Sequence, residues 1–117
     1  GDGAAIMHMG SFAITGTQNA KNYKHIIFNN GAHDSVGGQP TAGFSISLTD
    51  TAKACGYRMT IKADSRNELL QAIKLLKSTQ GPALLEIIVK KGARADLGRP
   101  KTSPQENKKN FMDFLSE

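Results

Sequence analysis

Apolar positions along the chain fall into short runs whose spacing alternates between helical and extended patterns. From Ala4 to Thr15 they cover almost every face, through Ile6, Met7, Met9, Phe12, Ala13 and Ile14. A helix that is apolar all round is a buried one, so this stretch predicts a helix inside the fold. Gly10 weakens it, and Gly16 is placed to end it. His25-Ile26-Ile27-Phe28 is β-branched and aromatic and predicts a buried strand. Asn29 to Gly43 carries Gly31, Gly37, Gly38 and Gly43 and reads as a long loop, a kind that in compact domains is usually functional.

Downstream the alternation continues. A short helix is expected from about Thr49 to Cys55, ending at Gly56, and Arg58 to Lys62 alternates like a strand. Ser65 with Glu68 forms a capping box that opens a helix presenting Leu69, Leu70, Ile73 and Leu76. Gly81-Pro82 breaks the chain before Ala83 to Val89, whose nearly continuous apolar run predicts a strand covered on both faces, as in parallel sheets. Ser103, Pro104 and Glu106 repeat the capping signature, and the helix they open is expected to dock through Phe111, Phe114 and Leu115. Strands separated by helices predict an α/β fold in three layers, a mainly parallel sheet flanked by helices, with all 117 residues in one domain. Such a fold leads a strand into its first phosphate-facing turn, yet the chain opens at Gly1-Asp2-Gly3 directly before a helix, so the fold is expected to be truncated on its N-terminal side.

Composition changes this picture little. Apolar residues make up 38% and charged residues 21%, as in ordinary globular domains and unlike disordered ones. No run is long enough for a membrane span, and no signal segment opens the chain. A lone cysteine, Cys55, excludes an internal disulfide, fits a reducing cytoplasm, and reads as a small core residue. The net charge of +5 raises a nucleic-acid reading, but the basic residues are spread along the chain without interleaved aromatics, so no nucleic-acid partner is expected. With three histidines and one cysteine a zinc site is not expected; His8 reads as a core or interface residue, and His25 has no second ligand nearby. Neither Ser11 nor Ser35 sits in a hydrolase-type frame.

The candidate chemistry lies at two strand ends. Given a first strand upstream of Gly1, Gly1-Asp2-Gly3 and Asn29-Asn30 both fall where loops leave the carboxyl edge of an open α/β sheet, the edge at which ligands bind. Glycines admit a phosphate close to the backbone, and a following helix offers free N–H groups. Asp2 and the Asn30 amide oxygen are hard ligands suited to Mg²⁺, which takes about six oxygens and draws several from phosphate and water.

The Gly-Asp-Gly and Asn-Asn pairs, with twenty-five residues between Gly3 and Asn29, resemble the signature of thiamin-diphosphate enzymes. The run Asn29-Asn30-Gly31-Ala32-His33-Asp34-Ser35-Val36-Gly37-Gly38-Gln39-Pro40-Thr41 is similar to the corresponding loop of the phosphonopyruvate decarboxylases. So are Ala54 to Arg58, Ala93 to Pro100 and Pro104 to Lys108. The resemblance implies a diphosphate-binding domain in which Asp2, Asn30 and the Ala32 carbonyl hold Mg²⁺. The diphosphate would meet the backbone at Gly1, Gly3 and Ala4. It further implies a longer, homo-oligomeric enzyme with a separate pyrimidine-binding domain, usually supplied by a partner subunit. That enzyme would convert phosphonopyruvate to phosphonoacetaldehyde and carbon dioxide, and the chain alone would be inactive.

Four further side chains have two readings each. His33 and Asp34 would face the reacting end of the cofactor as substrate-contacting or proton-transferring groups, or else form a loop-ordering pair. Arg94 and Arg99 would recognise the phosphonate, or join Asp96 in a surface ion network. Two rival functions stand beside the first: a sulfopyruvate decarboxylase with the same cofactor, and a basic binding module that has kept only the fold.

Overall fold

The computed structural model describes residues 1–116, and its centre is a three-stranded parallel sheet in the order β1-β5-β4. The strands are β1 (Lys24–Asn29), β4 (Met59–Ala63) and β5 (Ala83–Ile88). A two-stranded antiparallel ladder, β2 (Ala32–His33) with β3 (Gln39–Pro40), folds the first long loop over the carboxyl end of β1. Helices α1 (Asp2–Met7), α2 (Gly10–Gln18), α3 (Leu48–Ala54), α4 (Arg66–Ser78) and α5 (Pro104–Leu115) complete the chain.

Helices cover both sheet faces. On one, Phe12 of α2 and Leu48 and Ala52 of α3 pack with Ile27, Leu84 and Tyr57, and Cys55 lies against this cluster as a partly buried neighbour. On the other, Ala72 and Leu76 of α4 pack on Ala63, Ala83 and Leu85. Residues alternate across the sheet, so the nearly continuous apolar run of β5 places Leu84 in the first cluster and Leu85 in the second. The three-layer parallel arrangement read from the alternating pattern is therefore the one observed.

Several local expectations are corrected. The single buried helix over Ala4–Thr15 is two helices, broken at His8 and Met9, because Ala4 and Ile6 carbonyls accept the His8 and Met9 N–H groups in a tightened last turn. Nor is this segment buried: Met7 and Ile14 are exposed, as is His8, and only Phe12 and Gly16 of α2 are covered. Gly16 does not end α2; Asn19, at φ 51°, does so by taking the left-handed conformation. Gly16 is instead the point of closest approach to α3, where a Cβ would lie 1.8 Å from the Cys55 carbonyl oxygen. β1 is buried on one side only, since Ile26 and Phe28 face outward at the edge of the sheet, beyond α4.

Both predicted capping boxes are present, Ser65 with Glu68 and Ser103 with Glu106. In α4, however, the inward stripe runs through Leu69, Ala72 and Leu76, whereas Leu70 and Ile73 turn away. α3 ends as expected before Gly56, whose φ of 99° suits glycine, and its start is fixed by Ser47, which accepts from the Asp50 N–H. α5 does not dock: Phe111, Phe114 and Leu115 are all more than 60% exposed.

The two glycines of α2 give opposite expectations. Gly10 has open space around its absent side chain, so Gly10→Ala should stabilise the domain by about 0.5–1 kcal/mol through helix propensity. Gly16→Ala must push the Cys55 carbonyl aside and should cost about 1–3 kcal/mol. Denaturant midpoints of the two variants measure the contrast.

Candidate functional site

Asp2 is the first residue of α1, 1% exposed, and Asn29 and Asn30 end β1 and begin the loop after it. The two strand-end motifs meet. Asp2 Oδ1 accepts the backbone N–H of Asn30 at 3.4 Å, and Asp2 Oδ2 accepts the hydroxyl of Thr41. Thr41 Oγ1 in turn accepts the Gly43 N–H at 3.1 Å. The backbone here lies so close that a Cβ on Gly43 would fall 2.5 Å from Asp2 Oδ2 and 2.6 Å from Asn29 Oδ1.

The adjacent asparagines do different work. Asn29 is fully buried and saturated: Nδ2 donates to the Gly43 carbonyl at 2.8 Å and to Glu86 Oε1 at 2.7 Å, while Oδ1 accepts the Gly31 N–H at 3.1 Å. Asn30 is half-buried; its Oδ1 accepts the Ala32 N–H at 3.0 Å and its Nδ2 donates to Asp34 Oδ2 at 2.8 Å. The Asn30 turn sets Ala32 at the start of β2, where its residue is buried.

His33 follows. Its ring lies over the start of α1, so that a Cβ on Gly3 would meet His33 Cε1 at 2.3 Å. Gly3 is thus required by a close approach rather than by its backbone conformation. Asp34 is exposed, and its Oδ2 also accepts the Gly92 N–H at 2.8 Å, while Lys91 Nζ donates to the Gly38 carbonyl. The segment after β5 is tied through these bonds to the loop after β1, the loop-ordering geometry for Asp34. Arg94 and Arg99 take no part in these bonds. Arg94 pairs with Asp96 at 3.0 Å on an exposed surface, and both arginines line a shallow hollow with Ala93, Leu97 and Gly98. Arg99 joins no ion pair among the described residues, so the expected network reduces to one local pair.

Thr41, Gly43, Glu86 and Lys91 were not singled out by the sequence. Only Glu86 left a trace there, as the charged residue interrupting the apolar run of β5. Away from this cluster, a cavity of about 280 Å³ opens between the first two helices and β1, lined by Gly1, His8, Phe12, His25 and Tyr57 among others. His25 Nδ1 is 3.1 Å from the Tyr57 hydroxyl, and burial holds its pKa below the usual histidine value.

The donor set suits a hard cation. Among the described residues no group of three His, Cys, Asp or Glu side chains could hold a metal, so a cation here would have one carboxylate, Asp2, with amide and backbone oxygens beside it. Such a set relies on oxygens from a bound anion and water, as Mg²⁺ sites commonly do. Asp2 is buried without a cationic partner among the described residues, where the only ion pairs are Arg94–Asp96 and Lys109–Asp113. A buried carboxylate with no counter-charge is costly, and a cation seated against it removes that cost. No helix among the described residues is long and apolar enough to cross a membrane.

Comparison with known proteins identifies the family. The chain is 39% identical over 117 residues to a phosphonopyruvate decarboxylase of Streptomyces hygroscopicus, covering 100% of this chain and 29% of that protein. It is 37% identical over 116 residues to the phosphonopyruvate decarboxylase of Streptomyces viridochromogenes, covering 99% of this chain and again 29% of the relative. The sulfopyruvate decarboxylase subunit beta of Methanococcus maripaludis is 32% identical over 119 residues, covering 100% of this chain and 62% of that subunit. The chain thus spans less than a third of the length of the two phosphonopyruvate decarboxylases. Residues 1–87 match the family described as thiamine pyrophosphate enzyme, C-terminal TPP binding domain. With a buried Asp2 facing the Asn30 backbone at the sheet edge, and with that match over most of its length, the chain belongs to the C-terminal thiamin-diphosphate-binding domains of thiamin-diphosphate enzymes.

Proposed function

We propose that this domain holds the diphosphate of thiamin diphosphate through Mg²⁺, and that the complete enzyme decarboxylates phosphonopyruvate to phosphonoacetaldehyde in phosphonate biosynthesis. The observation that carries the reading is the Asp2 carboxylate, buried without a cation and set against the backbone of Asn30. Asp2, Asn30 Oδ1 and the Ala32 carbonyl supply the protein's oxygens to the cation. The N–H groups of Gly3 and Ala4, free at the first turn of α1, meet the diphosphate, as does the backbone of Gly1. When bound, the cofactor supplies the electron sink that lets the carboxylate of a 2-oxo acid leave as carbon dioxide.

The chain's own part is orientation. The His33 ring lies over Gly3 at the start of α1, and we assign it contact with the substrate or a proton donated to it. Asp34 supports it by tying Asn30 to Gly92. Arg94 and Arg99 remain candidates for contact with a phosphonate, with the surface pairing of Arg94 favouring a structural role. The pyrimidine end of the cofactor requires a second domain, which we assign to a partner subunit of a homo-oligomer; the exposed Met7, Ile14, Ile26 and Phe28 are apolar surface suited to such contacts.

Sulfopyruvate is the second reading, favoured by the similarity to sulfopyruvate decarboxylases of Methanosarcina acetivorans and Methanococcus maripaludis, at 30% and 32% identity. The phosphonate reading stands first because two phosphonopyruvate decarboxylases match the whole chain at higher identity.

In the full-length protein, Asp2→Asn should weaken Mg²⁺-dependent binding of thiamin diphosphate by at least about tenfold in calorimetric titration; undiminished binding would remove the cation site. The specificity constant of the unaltered enzyme for phosphonopyruvate should exceed that for sulfopyruvate, and the reverse order would favour the second reading. His33→Ala should lower kcat by about a hundredfold, the scale of a lost proton-transfer group, while cofactor affinity stays within a few fold. Unchanged kinetics would leave His33 a packing role over Gly3.

A further inference from the structure

Glu86 sits in the middle of the central strand, 2% exposed, in a run that is otherwise Ala83, Leu84, Leu85, Ile87 and Ile88. An apolar residue there would continue the core, and a buried carboxylate costs far more than a leucine. Neither ion pair among the described residues includes it. Its side chain accepts one hydrogen bond, from Asn29 Nδ2 at 2.7 Å. The sheet gains nothing from this arrangement that an apolar side chain would not give it.

The loop above the sheet does gain. A carboxylate only accepts, so it obliges the Asn29 amide to turn its Nδ2 inward and therefore its Oδ1 toward the Gly31 N–H. The second Nδ2 hydrogen then reaches the Gly43 carbonyl at 2.8 Å. One amide thus clamps the end of β1, the turn holding Asn30 and Ala32, and the segment that returns past Asp2. From Gly43 the connection continues through Thr41 Oγ1 to Asp2 Oδ2. Both arms of the clamp end on residues assigned above to the cation. Glu86 is also a second buried carboxylate without an ion-pair partner among the described residues, linked through the Asn29 side chain to the loop beside Asp2.

We propose that Glu86 is a positioning residue for the cation site: through Asn29 it fixes the loop bearing Asn30 and Ala32, and its buried charge raises affinity for a divalent cation it does not touch. The proposal rests on the cation and diphosphate reading given above. Outer groups that orient the direct ligands of a metal commonly alter its affinity when replaced. Glutamine at this position keeps the shape but can donate as well as accept, so it weakens one of the three bonds that orient the Asn29 amide and carries no charge.

The test is Mg²⁺ binding to the full-length protein at saturating thiamin diphosphate, followed by calorimetry and, with Mn²⁺ as the probe, by electron paramagnetic resonance of the free ion. Glu86→Gln should raise the apparent Kd for both ions about tenfold or more, while thermal stability without metal is maintained or increased. Glu86→Asp, which retains the charge, should lose less affinity than Glu86→Gln. A Glu86→Gln protein with unchanged ion affinity overturns the proposal, as does one that loses metal-free stability alone. Asp2→Asn separates the two levels. If it weakens ion binding while Glu86→Gln does not, only the role of Glu86 fails; if neither does, the cation site itself fails. Should Glu86→Gln not fold, Asn29→Ser removes the same link from the other end, and unchanged ion affinity in that variant overturns the proposal equally.

Discussion

The arrangement on which the rest depends is a set of buried polar groups, Asp2, Asn29 and Glu86, held at the carboxyl edge of a small parallel sheet. Each is nearly inaccessible, and among the described residues no cation accompanies the carboxylates. Folding alone does not favour such a cluster, because desolvating charge costs more than hydrogen bonds to amides return. On the function proposed above, a positive ion seated against these carboxylates would offset that cost, and the cost in the free domain would be a source of affinity.

That organisation comes from backbone as much as from side chains. Gly43 brings its chain so close to Asp2 and Asn29 that no side chain fits, and Gly3 leaves room for the His33 ring. Asn29 and Asn30 each bind an N–H two residues ahead, a local habit of asparagine that rolls the chain into consecutive turns. Those turns lead into the short β2–β3 ladder, so a stretch without long-range sheet pairing still has a fixed shape. Hydrogen bonds from Gly92 and Lys91 reach this loop from the far side. Function-bearing loops are commonly mobile; this one is tied at both ends and across its middle.

How far the sequence revealed this depends on the range of the interaction. Capping boxes at Ser65 and Ser103 are contacts within one turn, and both were legible from residue spacing alone. The buried run of β5 and the juxtaposition of Asp2 with Asn30 were legible because parallel α/β topology brings successive strand ends to one edge. Thr41 and Lys91 were not, since each acts across a distance in sequence that no local pattern encodes. Glu86 was visible only as an interruption, and its partner Asn29 lies fifty-seven residues away. Expectations of burial failed for a different reason. Apolarity in Met7, Ile14, Phe111 and Phe114 marks surface that must be covered by something, and a sequence does not say whether that is the same domain.

The exposed apolar surface and the buried charge therefore belong to one argument about division of labour. The domain spends its internal packing on holding the polar cluster rigid: α3 and α4 are packed against the sheet, whereas α5 and the outer face of β1 are left open. A phosphonate can take a second negative charge where a sulfonate cannot, so discrimination between the two substrates asks for an additional cationic group. On the function proposed above, Asp2, Asn29 and Glu86 would meet anions only through a shared ion and backbone N–H groups, neither of which distinguishes tetrahedral heads well. Selectivity would then rest on cationic side chains outside that set, such as Lys91, Arg94 and Arg99, or on surfaces that meet the open apolar faces. On that reading the diphosphate end of the site lies within this domain, held by its hydrogen bonds, and the substrate end lies at its borders.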